Sequence, residues 1–377
     1  FAFGGDQCGA GWGINRAWGG LRMFETLLRA RPDFLIHLGD RIYSDVPLTA
    51  TVPLDDGTVW HNLVTPAKSK VAEAVDEYRG NYAYNFLDPH YRRFCSGVGQ
   101  LHIWDDHEVR NNWWPGRSLA GDLRYETWPA DVLAARGRQA FFDYTPMRRN
   151  PGEPGRIYRS VRYGPMVEVF LLDGRSYRSP NARNRQRSPG PDTALLGAEQ
   201  VSWLKGVLAR SAALWKIIAC DMPLGIAGNK HKKRYDKWSN RDHGAPLGRE
   251  LELAGILRFI KGEKIRNIVW LVADVHYAAA HHFQPDRAAF TDFNPFWQFI
   301  AGPFHTATRR PLKLDRTFGP EQLFAATPKS LRGNYARSAG YLYFGMGHIN
   351  GRTGTLTVSL RHLSGTTLYA VDLPAEG

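Results

Sequence analysis

The sequence predicts an α/β fold: a sheet of buried strands covered by helices, finished by an antiparallel meander at the C-terminal end. Three observations carry that expectation. Short apolar, β-branched runs recur at Phe1 to Gly4, Phe34 to Leu38, Leu101 to Trp104, Met166 to Leu172, Trp215 to Ala219 and Ile268 to Ala273, which is how strands buried on both faces read. Segments of helical period lie between some of these runs. From Tyr341 onward the pattern changes to alternation of apolar and polar residues.

Taken in order, Arg16 to Arg31 places Trp18, Leu21, Phe24, Leu27 and Leu28 at helical spacing between the first two runs, a βαβ crossover that would set Asp6 and Asp40 side by side. Glu199 to Ser211 repeats the scheme ahead of the run at Trp215, with Val201, Leu204, Val207 and Leu208 as its apolar stripe. Tyr341 to Ile349, Thr355 to Arg361 and Thr367 to Leu373 alternate and are joined by Asn350-Gly351 and Ser364-Gly365, which are hairpin turns. Pro47 to Lys68, residues 180–196 and the basic stretch 229–247 with Lys230, Lys232, Lys233 and Arg234 read as loops of the kind that wall a site. With no repeat and no linker composition, residues 1–377 are expected to form one catalytic domain.

Composition narrows the class. A chain of 377 residues, 43% hydrophobic and 12% aromatic, can bury a large core. The formal charge of +13 comes from 49 lysines and arginines scattered along the chain, not gathered in a tract or arm. Such a charge attracts anionic partners, but a nucleic-acid reader clusters its cations, so specific nucleic-acid recognition is not expected. No apolar run reaches the roughly 18 residues of a membrane helix, so no membrane span is expected. Cys8, Cys95 and Cys220 are odd in number and far apart, which excludes a disulfide framework and a paired-cysteine zinc motif. Phe1 to Gly5 reads as a strand already under way, so a leader or upstream domain is expected before it, while oligomeric state leaves no signal.

The chemistry sits just past the apolar runs: Asp6, Asp40 with Tyr43, Asp106 with His107, Asp221, and Asp274 with His276. Open α/β sheets hold their ligands at the carboxyl ends of strands. Singly, each has a plain explanation, since an aspartate after a strand caps or turns, a tyrosine packs, and a buried histidine finds a partner. Jointly they do not. Carboxylates gathered without metal repel one another, whereas one or two polyvalent cations satisfy them. Two ions about 3.5 to 4 Å apart, bridged by a carboxylate, suit hydroxide attack on phosphorus, so hydrolysis of phosphate monoesters or diesters is the expected reaction. Arg110 and Arg175 are candidates to hold phosphate oxygens, and Asn112 to position substrate or a metal's water.

Asp40 and Tyr43 in Gly-Asp-x-x-Tyr, the Asp106-His107-Glu108 turn and Asp274-Val275-His276 resemble the metal motifs of calcineurin-like and purple acid phosphatases. The longer phrases His37-Leu38-Gly39-Asp40-Arg41-Ile42-Tyr43, Trp104-Asp105-Asp106-His107-Glu108-Val109-Arg110-Asn111-Asn112-Trp113, Asp173-Gly174-Arg175-Ser176-Tyr177-Arg178 and Ala273-Asp274-Val275-His276 resemble the alkaline phosphatase D family, in order from Phe1 to about Leu373. That resemblance implies a four-layer α/β/β/α sandwich with the ligands at one edge, and a periplasmic or extracellular setting. It implies that Asp40 bridges two metals, Tyr43 ligates the more oxidised one, expected as ferric iron, Asp106 contacts the second, and His276 and Asp274 complete the final motif. His107 becomes the acid or transition-state donor, and Asp221 stands where related phosphatases carry a histidine.

One position departs from the family. The first strand usually ends in Ser-Cys-Gln with a thiolate ligand, whereas here Gly5-Asp6-Gln7 holds that register and Cys8 comes two residues late. A carboxylate is the harder ligand, so calcium, manganese or zinc beside iron is the expected inventory. Two rival readings stand next to the phosphatase: a phospholipase D-like diesterase acting on lipid head groups, and a non-catalytic binder of anionic polymer whose acidic cluster holds structural calcium.

Overall fold

A computed structural model of the chain describes residues 1–54, 56–227, 234–327 and 340–376. Two sheets face each other. The first runs β15-β14-β13-β1-β2-β5, built from β1 (Ala2–Gly4), β2 (Phe34–Leu38), β5 (Gly99–Ile103), β13 (Tyr343–Ile349), β14 (Leu356–His362) and β15 (Thr367–Leu373). The second runs β12-β10-β11-β9-β8-β7-β6, built from β6 (Arg159–Tyr163), β7 (Val167–Leu171), β8 (Trp215–Ala219), β9 (Ile268–Val272), β10 (Ala279–Phe283), β11 (Phe296–Ile300) and β12 (Pro320–Ala325).

The continuous apolar runs are explained by burial on both strand faces. Successive side chains point to opposite sides, so Ile36 and Ile217 meet between the sheets, while Leu35 and Ile218 face outward under helices. Helices α1 (Arg22–Arg29) and α3 (Pro89–Gly97) cover the first sheet through Phe24, Leu27, Tyr91 and Phe94. Helices α5 (Ala198–Arg210) and α6 (Glu250–Gly262) cover the second through Leu204, Leu208, Leu253 and Leu257. Each such aliphatic side chain contributes about 1.5 to 3 kcal/mol when fully buried. The result is the four-layer α/β/β/α sandwich. A further cluster packs α2 (Val75–Asn85) and α4 (Ala130–Tyr144) beneath the loop after β5, around Trp104 and Trp113.

The βαβ crossover is present, since β1 and β2 are parallel neighbours with Gly4 opposite His37. The C-terminal meander is present too, and β13 returns to pair antiparallel with β1. Helix α1 is shorter than its periodicity predicts, beginning at Arg22 because Gly19 and Gly20 adopt φ of 99° and 68° and break the turn before it. The stretch Pro47 to Lys68, expected as loop, contains the hairpin of β3 (Thr51–Pro53) and β4 (Val59–His61). Of the basic stretch 229–247, residues 229–233 with Lys230, Lys232 and Lys233 lie outside the described residues. Its remainder packs back onto the body, where Trp238 is buried and the Asn240 N–H donates to the Glu250 carboxylate. Among the described residues no helix is long and apolar enough to cross a membrane.

Candidate metal centre

The parallel strands β1, β2, β5 and β9 all point their carboxyl ends at one edge of the sandwich, so the residues that follow them meet. The Asp6 N–H donates to Gly39 O at 3.3 Å and the Gln7 N–H to Asp40 O at 2.8 Å, which ties the first two turns together. Gly39, at φ 97°, has no room for a side chain, because a Cβ there would lie 2.5 Å from the Asp105 Cβ. Asp6, Asp40, Asn112, Asp274 and His276 all hold left-handed backbone, at φ between 53° and 64°. Residues with side chains visit that region at a cost, and they cluster where function requires a particular aim.

Two groups of donors converge among the described residues, Asp6 with Asp40 and His276, and Asp40 with Asp106 and His107; the donor atoms of each group lie within 4.8 Å of one another. Asp40 is common to both. The His276 Nε2 stands 3.7 Å from Asp6 Oδ1 and 3.2 Å from the Tyr43 hydroxyl. Asp6 is fully buried, yet neither of its carboxylate oxygens has a hydrogen-bond partner among the described residues. Burial, then Asp274, pushes the Asp6 carboxyl well above the usual range, and burial, then Asp105 and Asp106, does the same to Asp40. Orphaned, crowded, hard oxygen donors with imidazole beside them fit polyvalent cations.

The loops behind these donors are held by two carboxylates. Glu108, fully buried, accepts the N–H groups of Asp40 at 3.0 Å, Arg41 at 2.6 Å and Asp105 at 2.7 Å, so one side chain fixes the turns after β2 and β5. Asp45 lies 2.5 Å from His107 Nδ1 and accepts the Asn111 N–H at 2.9 Å through its other oxygen. The His107 backbone N–H donates to Asp40 Oδ1 at 3.1 Å. Burial works against the imidazolium, but Asp45 and Asp106 outweigh it and hold the His107 pKa up to about 9. A cleft of about 640 Å³ opens over the floor formed by Asp40, Asp106, Asp274 and His276, with Lys237, Arg241, Arg309, Arg310 and Lys313 around it.

The family model described as PhoD-like phosphatase matches residues 1–360. The chain belongs to the PhoD-like phosphatase family. It is 27% identical over 280 residues to alkaline phosphatase D of Bacillus subtilis (strain 168), covering 70% of this chain and 44% of the relative, so it spans less than half the length of that protein. A solved structure of PhoD superimposes with a TM-score of 0.66 at 20% identity, covering 99% of this chain and 68% of the other, which shows the shared fold. A structure of GAP50, the anchor in the inner membrane complex of Plasmodium, overlaps at a TM-score of 0.46 and 10% identity, covering 100% of this chain and 89% of that one.

In this PhoD-like chain the structure brings Asp6, Asp40, Tyr43, Asp106, His107 and His276 together at one edge. Asn112 also lines the cleft, and its backbone N–H donates to Asp106 Oδ2 at 2.6 Å. Other expected residues do different work. Asp221 is buried against Arg175, with 3.2 Å between Oδ2 and Nε, and stays outside both donor groups. Arg175 is fully buried, pairs with Asp105 at 2.6 Å and with Asp221 at 3.2 Å and does not line the cleft, which is not the placement expected of a phosphate clamp. The same holds for Arg110, since it pairs with Asp122 at 2.9 Å in the neighbouring loop and does not line the cleft. Asp274 reaches the cleft but pairs with Lys237.

Among the described residues no tryptophan lines the cleft; Trp12, Trp104, Trp113, Trp238 and Trp270 are fully buried core residues. Asp45, Asp236, Lys237, Arg309, Arg310 and Lys313 were not singled out by sequence reasoning. The Arg309-Arg310-Pro311-Leu312-Lys313 run was the available signal for the rim, and Asp45 stands only two residues past Tyr43.

Proposed function

We propose that this PhoD-like chain hydrolyses phosphate esters at the cleft, using two metal ions that would be held by Asp6, Asp40, Tyr43 and His276 on one side and by Asp40, Asp106 and Asn112 on the other. The orphaned, fully buried Asp6 carboxylate beside Asp40 and His276 is the observation that carries the reading. Ions held by that donor set would supply Lewis acidity toward a phosphoryl oxygen and would acidify water. The residues do the rest. Asp45 holds the His107 ring by Nδ1, which leaves Nε2 to donate to the leaving oxygen or to the charge on the phosphoryl group. Arg309, Arg241 and Lys313 draw the anionic ester into the cleft.

The family supports phosphoester chemistry; the choice between monoester and diester is proposed to be broad, because the cleft of about 640 Å³ leaves room for a second substituent. Elemental analysis of protein purified without added ions, followed by assays on paired aryl phosphate mono- and diesters with metal add-back, tests this. Asp40→Asn should lose bound metal and activity together. Full activity after exhaustive chelation, or Asp40→Asn with unchanged metal and turnover, would sink the proposal.

A further inference from the structure

Asp274 follows β9 just as Asp6 follows β1, and by position alone it ranks as a ligand. The structure gives it other company. Its Oδ2 is paired with the Lys237 ammonium, and its Oδ1 lies 4.0 Å from the Arg175 guanidinium. The same ammonium is 3.9 Å from Asp236 Oδ2, and the Lys237 side chain is only 6% exposed although it borders the cleft. Neither group of converging donors includes Asp274 or Asp236.

We propose that Lys237 is a built-in cation that keeps Asp274 and Asp236 from metal ligation and confines the ions to the Asp6–Asp40–His276 group and the adjoining Asp40–Asp106 pair. This inference rests on the metal centre proposed above. An ammonium is a compact charge on a flexible stem, so it can sit between two carboxylates in place of an ion. Once there, it removes the negative charge that would draw a further cation and repels one that approaches. Arg175 buttresses the same side, since it already answers Asp105 and Asp221. Lys237 therefore sets how many ions the centre takes, and acts as a positioning residue for Asp274.

The test compares the whole chain with Asp274→Asn, Lys237→Ala and Lys237→Arg. Each is equilibrated with manganese, freed of excess, analysed for ions per chain and titrated calorimetrically, with circular dichroism recording the fold. Asp274→Asn should keep the parent's ion count and escape the roughly 10- to 100-fold loss of affinity that removing a ligand's support causes. Lys237→Ala should gain one ion per chain, and Lys237→Arg should match the parent. Loss of an ion in Asp274→Asn overturns the inference even if Lys237→Ala does not fold, as does an unchanged count in folded Lys237→Ala. A parent chain that binds no manganese, iron, calcium or zinc would bring down the metal centre itself, and this inference with it; a parent with two ions and an Asp274→Asn variant with one would bring down this inference alone.

Discussion

Asp45 and His107 stand 62 positions apart in the chain, yet their side chains meet at 2.5 Å. That contact decides which ring nitrogen faces the cleft. His107→Ala should lower turnover by about 10²- to 10⁴-fold, the usual worth of a positioned proton donor. Asp45→Asn should cost less, about 10- to 100-fold, because the ring remains but loses its orientation. Metal analysis alongside steady-state kinetics separates the two roles, and both variants should retain their ions; equal turnover in His107→Ala would remove it from the mechanism. The histidine was legible in the sequence because it follows a buried run within Trp104-Asp105-Asp106-His107-Glu108. Its partner was not, since an aspartate in a turn looks the same whether it caps, solvates or orients. Arg110 and Arg175 show the converse, because a guanidinium that could grip phosphate is equally suited to carboxylates nearer at hand.

At the level of elements, Glu108 joins the turns after β2 and β5 through backbone N–H groups that have no water to turn to. Glu108→Ala would leave these donors buried and unmet, at about 1 to 3 kcal/mol each. A markedly lower melting temperature together with weakened metal binding is expected, and loss of neither would show that the turns hold themselves. Helix α6 begins with another buried acid, Glu250, which accepts from Asn240 and Leu247; burial, then Asp315, raises its pKa from 4.5 to about 8. The folded state therefore keeps a proton that the unfolded chain gives up. Its stabilising effect is full below pH 4.5 and is lost as pH rises through about 8. Glu250→Gln should flatten that decline in urea melts between those limits. The strands of the buried core could be read because double-sided burial leaves an uninterrupted apolar signature, whereas β10 with its two histidines and β12 with its mixed residues carry none.

Over the whole molecule, the two sheets present one acidic edge to a basic rim, and burial and neighbouring carboxylates work against the charged forms of Asp6 and Asp40 at that edge. Ions bound there should raise stability by about 3 kcal/mol at a hundredfold excess over their dissociation constant. Removal by chelation should accordingly lower the melting temperature of the parent chain more than that of Asp40→Asn, as calorimetry would show; an identical shift in both would place the stabilising ions elsewhere. The sequence by itself determined the buried strands, the α/β class and the order of polar residues at strand ends, because periodicity and apolar content are local and travel with the chain. Only tertiary structure decided that Lys237 answers Asp274, that Asp45 orients His107 and that Arg175 serves carboxylates. Those pairings depend on which side chains the folded sheets bring within about 4 Å, where a charge feels its neighbour far more strongly than in water.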